Sequence, residues 1–130
     1  MTAPLPDRLA ARTLEFVDIP SESRSEAALG AHVLGVLRAG GVAVRDAGDT
    51  CILAGVTERG PRPLVLLAGH LDTVPAQGNL PGRIEGGAVH GLGAADMQGA
   101  LAVMVELALG ERSADAVDAG FVFFGREELD

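Results

Sequence analysis

The sequence predicts an α/β fold with a mixed, mostly parallel sheet, and three observations carry that prediction. Residues 64–68 form a continuous apolar run, the pattern of a strand covered on both faces. Residues 120–124 form a second apolar strand. Between them Ala100, Val103, Met104 and Leu107 recur at helical spacing. The three elements make a β-α-β crossover, a connection that is right-handed and joins parallel strands.

The elements follow in order. Over residues 7–17, Leu9, Thr13, Phe16 and Val17 share one helical face, with Arg8, Arg12 and Glu15 largely off it, and Pro20 ends the run. Ser23-Arg24-Ser25-Glu26 has the spacing of a capping box, in which Ser23 and Glu26 satisfy free helix amides. A second helix then runs to about Ala39, with Leu29, Val33 and Leu37 on one face, and Gly40-Gly41 stops it. Residues 42–45 and 51–56 are short strands joined by a turn around Gly48-Asp49. Residues 57–63, with Gly60-Pro61 and Pro63, form a loop, and 75–82 a longer one. Residues 83–85 and 88–90 flank Gly86-Gly87 as a small hairpin. Gly91-Leu92-Gly93 is a flexible stretch before a helix over 97–109. No repeat, low-complexity tract or linker divides the 130 residues, a length sufficient for one domain with its own core.

Composition narrows the function. No apolar run is long enough to cross a membrane, and the start Met1-Thr2-Ala3-Pro4-Leu5-Pro6-Asp7 lacks the basic and apolar parts of a secretion signal. The expectation is a cytoplasmic protein. The single Cys51 cannot form an internal disulfide, and its apolar surroundings mark it as a core residue, not a nucleophile. The formal charge is −8, every basic residue is Arg, and Trp and Tyr are absent. With no basic cluster, the chain is expected to bind neither nucleic acid nor membrane.

Chemistry-bearing residues gather at the ends of the crossover. His70 and Asp72 lie just past the strand over 64–68, Asp96 at the start of the following helix, and Glu127-Glu128 just past 120–124. Parallel strands leave a sheet at one edge, where ligands of open α/β sheets bind. Singly, each has a structural reading: a His–Asp pair, a helix N-cap, a solvated turn. Jointly they read as half of a two-metal hydrolytic site. Zinc takes imidazole nitrogen and carboxylate oxygen, and two metals need a bridging group that an aspartate can supply. Asp72, behind the imidazole, would fix its tautomer. One carboxylate must stay off the metal as general base, and neighbouring glutamates can divide the two roles. His32 and His90 are read as structural.

Three segments then carry a family resemblance. Leu67-Ala68-Gly69-His70-Leu71-Asp72-Thr73-Val74-Pro75, Gly91-Leu92-Gly93-Ala94-Ala95-Asp96-Met97-Gln98-Gly99 and Glu127-Glu128 resemble, in order and spacing, the three N-terminal motifs of the M20 metallopeptidases. The resemblance implies a three-layer sandwich of the zinc-peptidase kind, of which residues 1–130 are the N-terminal portion. The remaining ligands, the C-terminal part and a lid domain that mediates dimerisation would lie elsewhere. It implies two Zn2+ ions, with Co2+ as a substitute. His70 would bind one zinc, Asp96 bridge both, Glu128 bind the second, Glu127 act as general base and Asp72 orient His70. It further implies a small N-acyl amino-acid substrate and, for a complete chain, a homodimer.

The stretch Asn79-Leu80-Pro81-Gly82-Arg83 resembles the desuccinylase branch. The implied reaction is removal of the succinyl group from N-succinyl-LL-2,6-diaminopimelate by metal-activated water. Acetylornithine deacetylase and metallocarboxypeptidase are the alternatives within the family. An inactive, truncated module that binds a metal or a partner is the alternative of another class. The chain departs from the family pattern at Gln98, where Lys is usual, at Leu92, where Arg is frequent, and at Leu129-Asp130, where Gly commonly follows the glutamates. With only three residues to touch two metals, these residues alone are expected to bind metal weakly and to show little activity.

Overall fold

The computed structural model describes residues 2–110 and 116–129; Met1, residues 111–115 and Asp130 lie outside the described residues. The elements run α1 (Leu5–Val17), α2 (Ala27–Ala39), β1 (Val44–Gly48), β2 (Cys51–Gly55), β3 (Leu64–His70), β4 (Arg83–Glu85), β5 (Ala88–His90), α3 (Gly99–Leu109) and β6 (Asp118–Phe124). A wide irregular turn, Ala94–Gln98, leads into α3. No described helix is long and apolar enough to cross a membrane.

Four strands form the main sheet in the order β1-β2-β6-β3, and β4 and β5 form a separate hairpin. The expected crossover is present: β3 and β6 pair in parallel, from Leu64 opposite Asp118 to His70 opposite Phe124. The expectation of a mostly parallel sheet is wrong. β1 pairs antiparallel with β2, and β2 antiparallel with β6, so two of the three pairings are antiparallel. The reason is connectivity. The tight turn at Asp49 and Thr50 permits only an antiparallel β1–β2 pair. β2 then joins the central strand β6 through residues far away in sequence, a pairing that local pattern does not reveal.

The three-layer sandwich is also corrected. Phe16, Leu29, Val33, Leu37, Leu101, Ala102, Met104 and Val105 from all three helices form one buried cluster with Ile52, Ala54, Phe121 and Phe123. These four sheet residues share a face, since Ile52 opposes Phe123 and Ala54 opposes Phe121. Leu53, Val122, Phe124 and Leu66, on the other face, contribute nothing to that cluster. Among the described residues the architecture is therefore two layers, helices on one side of a mixed sheet. β3 is an edge strand, not one covered on both faces: Leu66 is 52 % and Val65 43 % exposed.

The helices form as their patterns require. Pro6 stands in the first turn of α1, where its missing N–H costs nothing. Thr13, Phe16 and Val17 are its buried face, and Arg8 Nε donates to Glu106 Oε1 on α3 at 2.5 Å. α2 buries Leu29, Gly30, Val33 and Leu37, and Gly41, with φ +79°, follows its end. The capping box does not form. Glu26 is the residue before α2, and no side chain caps that helix. Ser23 points instead to Asp72.

Phe123 on the central strand has no exposed surface. Phe123→Ala should lower the unfolding free energy by about 3–5 kcal/mol in urea denaturation. A loss below about 1 kcal/mol would show that the central strand is not the core.

Candidate metal centre

The site is built where β3 and β6 end side by side. Gly69, on the helix face of β3, lets α3 close over the strand end, since a Cβ there would stand 2.8 Å from Leu101 Cδ2 and 2.9 Å from Met97 Cε. His70 and Asp72 follow at once. The Leu71 amide donates to the Phe124 carbonyl at 2.7 Å, which continues the β3–β6 pairing past the strands. The segment before α2 joins this rim: the Thr73 amide donates to the Ser21 carbonyl at 2.9 Å and the Ser23 amide to the Thr73 carbonyl at 3.0 Å.

Asp72 is fully buried. Its carboxylate accepts the Ser23 hydroxyl at 2.5 Å, the Glu127 amide at 3.0 Å and the Glu128 amide at 3.0 Å. Burial alone would raise its pKa. The bonds from Ser23 and from the Glu128 and Glu127 amides outweigh burial and hold the carboxyl below the ordinary range.

His70 is nearly buried. Its Nδ1 lies 2.9 Å from the Asp72 carbonyl oxygen. A carbonyl only accepts, so Nδ1 carries a proton and donates it. The group that holds the ring is thus the Asp72 main-chain carbonyl, in place of the side chain that was expected; the carboxylate Oδ1 stands farther off, at 3.4 Å. Nε2 faces Asp96 Oδ1 at 3.1 Å and Glu127 Oε2 at 3.9 Å. Burial lowers the His70 pKa, but the Asp96 carboxylate and the two groups of Asp72 overcome it, and the net shift is upward.

Asp96 departs from its expected place at a regular helix start. It lies inside the irregular turn with φ −145° and ψ 85°, and α3 begins only at Gly99. Its side chain is 73 % exposed, which leaves the oxygens open to solvent beside the imidazole. Glu128 has a raised pKa, through lost hydration first and then repulsion from Asp96 and Glu127.

Three carboxylates therefore meet one imidazole. Ligand atoms of His70, Glu127 and Glu128 all lie within 4.8 Å of one another. This donor set, nitrogen and oxygen on an acidic rim, fits a divalent cation of the zinc class. One such cluster is formed by the described residues; the ligand set for a second ion is not complete within it.

His32 and His90 stand apart. His32 Nε2 meets Glu15 at 3.0 Å, and His90 Nε2 meets the Glu85 carbonyl at 3.1 Å within the β4–β5 hairpin. Two supports of the site have no clear signal in sequence. Ser23 has the spacing of a helix cap, and Gln98 reads only as a departure from the family pattern. Gln98 is fully buried, and its Nε2 donates to the Leu71 carbonyl at 3.1 Å and to Ser21 Oγ at 3.3 Å. It braces the same strand end from below.

Residues 66–130, half of the chain, match the model of peptidase family M20/M25/M40, and the chain belongs to that family. A candidate succinyl-diaminopimelate desuccinylase, DapE, of Mycobacterium tuberculosis is 44 % identical over 122 residues, covering 91 % of this chain and 33 % of the relative. The succinyl-diaminopimelate desuccinylase of Corynebacterium glutamicum is 40 % identical over 94 residues, covering 70 % of this chain and 25 % of its own length. The chain thus spans a quarter to a third of these curated relatives. Among solved structures, the aminopeptidase PepT of Bacillus cereus superposes with a TM-score of 0.77 at 23 % identity, over 95 % of this chain and 37 % of that one. That likeness shows the fold.

The pKa shifts set the pH behaviour of the metal-free chain. A raised His70 contributes stability below its ordinary pKa of 6.5 and loses it as pH climbs through the raised value. A lowered Asp72 contributes above the ordinary carboxylate pKa and loses it as pH falls through the depressed value. The thermal midpoint should therefore fall between about pH 6 and pH 8, and His70→Ala should remove that fall. A wild-type midpoint that rises over the same interval contradicts the assignment.

Proposed function

We propose that these residues are the N-terminal part of the catalytic domain of a dinuclear zinc amide hydrolase, and that the complete enzyme removes the succinyl group from N-succinyl-LL-2,6-diaminopimelate. The observation that carries the hydrolase reading is the convergence of His70, Glu127 and Glu128 donor atoms within 4.8 Å, with Asp96 at 3.1 Å from the imidazole. The substrate reading is supported by the 44 % and 40 % identity to the two desuccinylase relatives.

Zinc bound there supplies polarisation of an amide carbonyl and acidification of water. The chain's own residues do the rest. His70 presents Nε2 because its Nδ1–H is committed to the Asp72 carbonyl. Asp96, its side chain largely exposed beside the imidazole, would be shared between two ions. Glu128 offers a ligand oxygen, and its carboxylate stands among the like charges of Asp96 and Glu127, a repulsion that a cation would relieve. Glu127 keeps its carboxylate half exposed at the mouth of the site, the place for a base that takes a proton from water and returns it to the leaving amine. Asp72 anchors the main chain of both glutamates and leaves their side chains free to act.

Glu127→Gln in the complete enzyme should lower kcat on the succinylated substrate by about 10²–10⁴-fold with KM little changed. Activity near wild type would remove Glu127 from the role of base. Turnover of an acetylated amino acid in place of the succinylated one would discard the substrate and keep the hydrolase.

A further inference from the structure

Behind the rim lies a carboxyl group that the metal centre does not use. Glu26 is 1 % exposed, and neither Oε1 nor Oε2 has a hydrogen-bond partner among the described residues. An unpaired buried carboxyl is destabilising by itself. The side chain lies against the main chain of Gly125, the residue that leads from β6 to the glutamates. A Cβ on Gly125 would overlap Oε1 of Glu26 and approach its Cγ to 2.9 Å.

The backbone around this contact is strained. Among the described residues, those other than glycine with left-handed φ are Arg24 (76°), Asp49 (52°), Thr50 (61°) and Arg126 (62°). Arg24, Thr50 and Arg126 line a shared cavity with Glu26 and Leu129. Asp49 accepts the Arg126 guanidinium, which ties the β1–β2 turn to the same segment. Strain of this kind persists where packing over-determines it, and it concentrates at functional sites.

We propose that Glu26 is a positioning residue for the Glu127–Glu128 segment. Its side chain fills the space beneath Gly125 and so sets how closely the segment approaches Asp72, while the Arg126–Asp49 bridge holds it from the side. Its consequence for metal binding rests on the hydrolase reading above; its effect on the segment itself does not.

The test reads the segment directly. The Glu127 and Glu128 amides donate to Asp72, so their hydrogen exchange in this chain, followed by NMR, reports the approach. Glu26→Ala and Gly125→Ala should each speed that exchange by about tenfold or more, with α3 amides such as Leu101 and Val105 unchanged. Glu26→Gln, which keeps the volume, should exchange like wild type. The double variant should lie closer to wild type than either single one, because the methyl group added at position 125 enters the space vacated by the shortened side chain at position 26. Unchanged exchange at both glutamates in the two single variants overturns the proposal, as does a strictly additive double variant. A parallel Co2+ titration of the complete enzyme, with His70→Ala as control, separates the two readings. A complete enzyme that takes up no Co2+ overturns the metal centre, while the exchange rates alone decide the role of Glu26.

Discussion

The buried carboxylate of Asp72 is the constraint on which the rest of the site depends. A carboxylate without solvent must find its donors inside the protein, and Asp72 finds three: one hydroxyl and two main-chain amides. Those donors belong to the segment before α2 and to the segment after β6. One charge thus ties the segments before α2 and after β6 to the end of β3, in addition to the main-chain bonds that set them side by side. The same residue, through its carbonyl, fixes the imidazole beside it. Position and protonation at the rim have a common origin.

This arrangement separates anchoring from chemistry. Glu127 and Glu128 are held by their backbone amides, so their carboxylates need no partners of their own and are driven together against repulsion. Asp96 adds a third negative group from the turn before α3. His70 alone cannot neutralise three carboxylates, even when fully protonated. The rim therefore has two ways to lower its charge: protons at low pH, or a divalent cation at higher pH. The two compete for the same lone pair on Nε2, which follows from Nδ1 being already committed to Asp72.

Much of the site was legible because one local pattern, strand–helix–strand, fixes which ends share an edge. His70, Asp96, Glu127 and Glu128 could be placed on one rim from that rule alone. Sheet direction was not legible, because the β2–β6 pairing joins residues about as far apart as Ile52 and Phe123. Nor was the exposure of β3: an apolar run announces burial, but only the strand order places β3 at an edge. Ser23 and Glu26 show the opposite failure. Their spacing fits a local capping motif, yet the tertiary partners Asp72 and Gly125 claim both side chains. The irregular turn around Asp96 has no sequence signature beyond its glycines.

The hydrogen bonds of Asp72 also imply an order of events in folding. Its donors stand 49, 55 and 56 residues away along the chain. Helices and the β1–β2 turn close within a few residues of themselves and can form early. The rim can close only after β6 has threaded between β2 and β3, which carries the loop-closure cost of the whole crossover. On a chain growing from its N-terminus, the acidic centre thus forms after the helices and the β1–β2 turn, and His70 meets Glu127 only once β6 is in place.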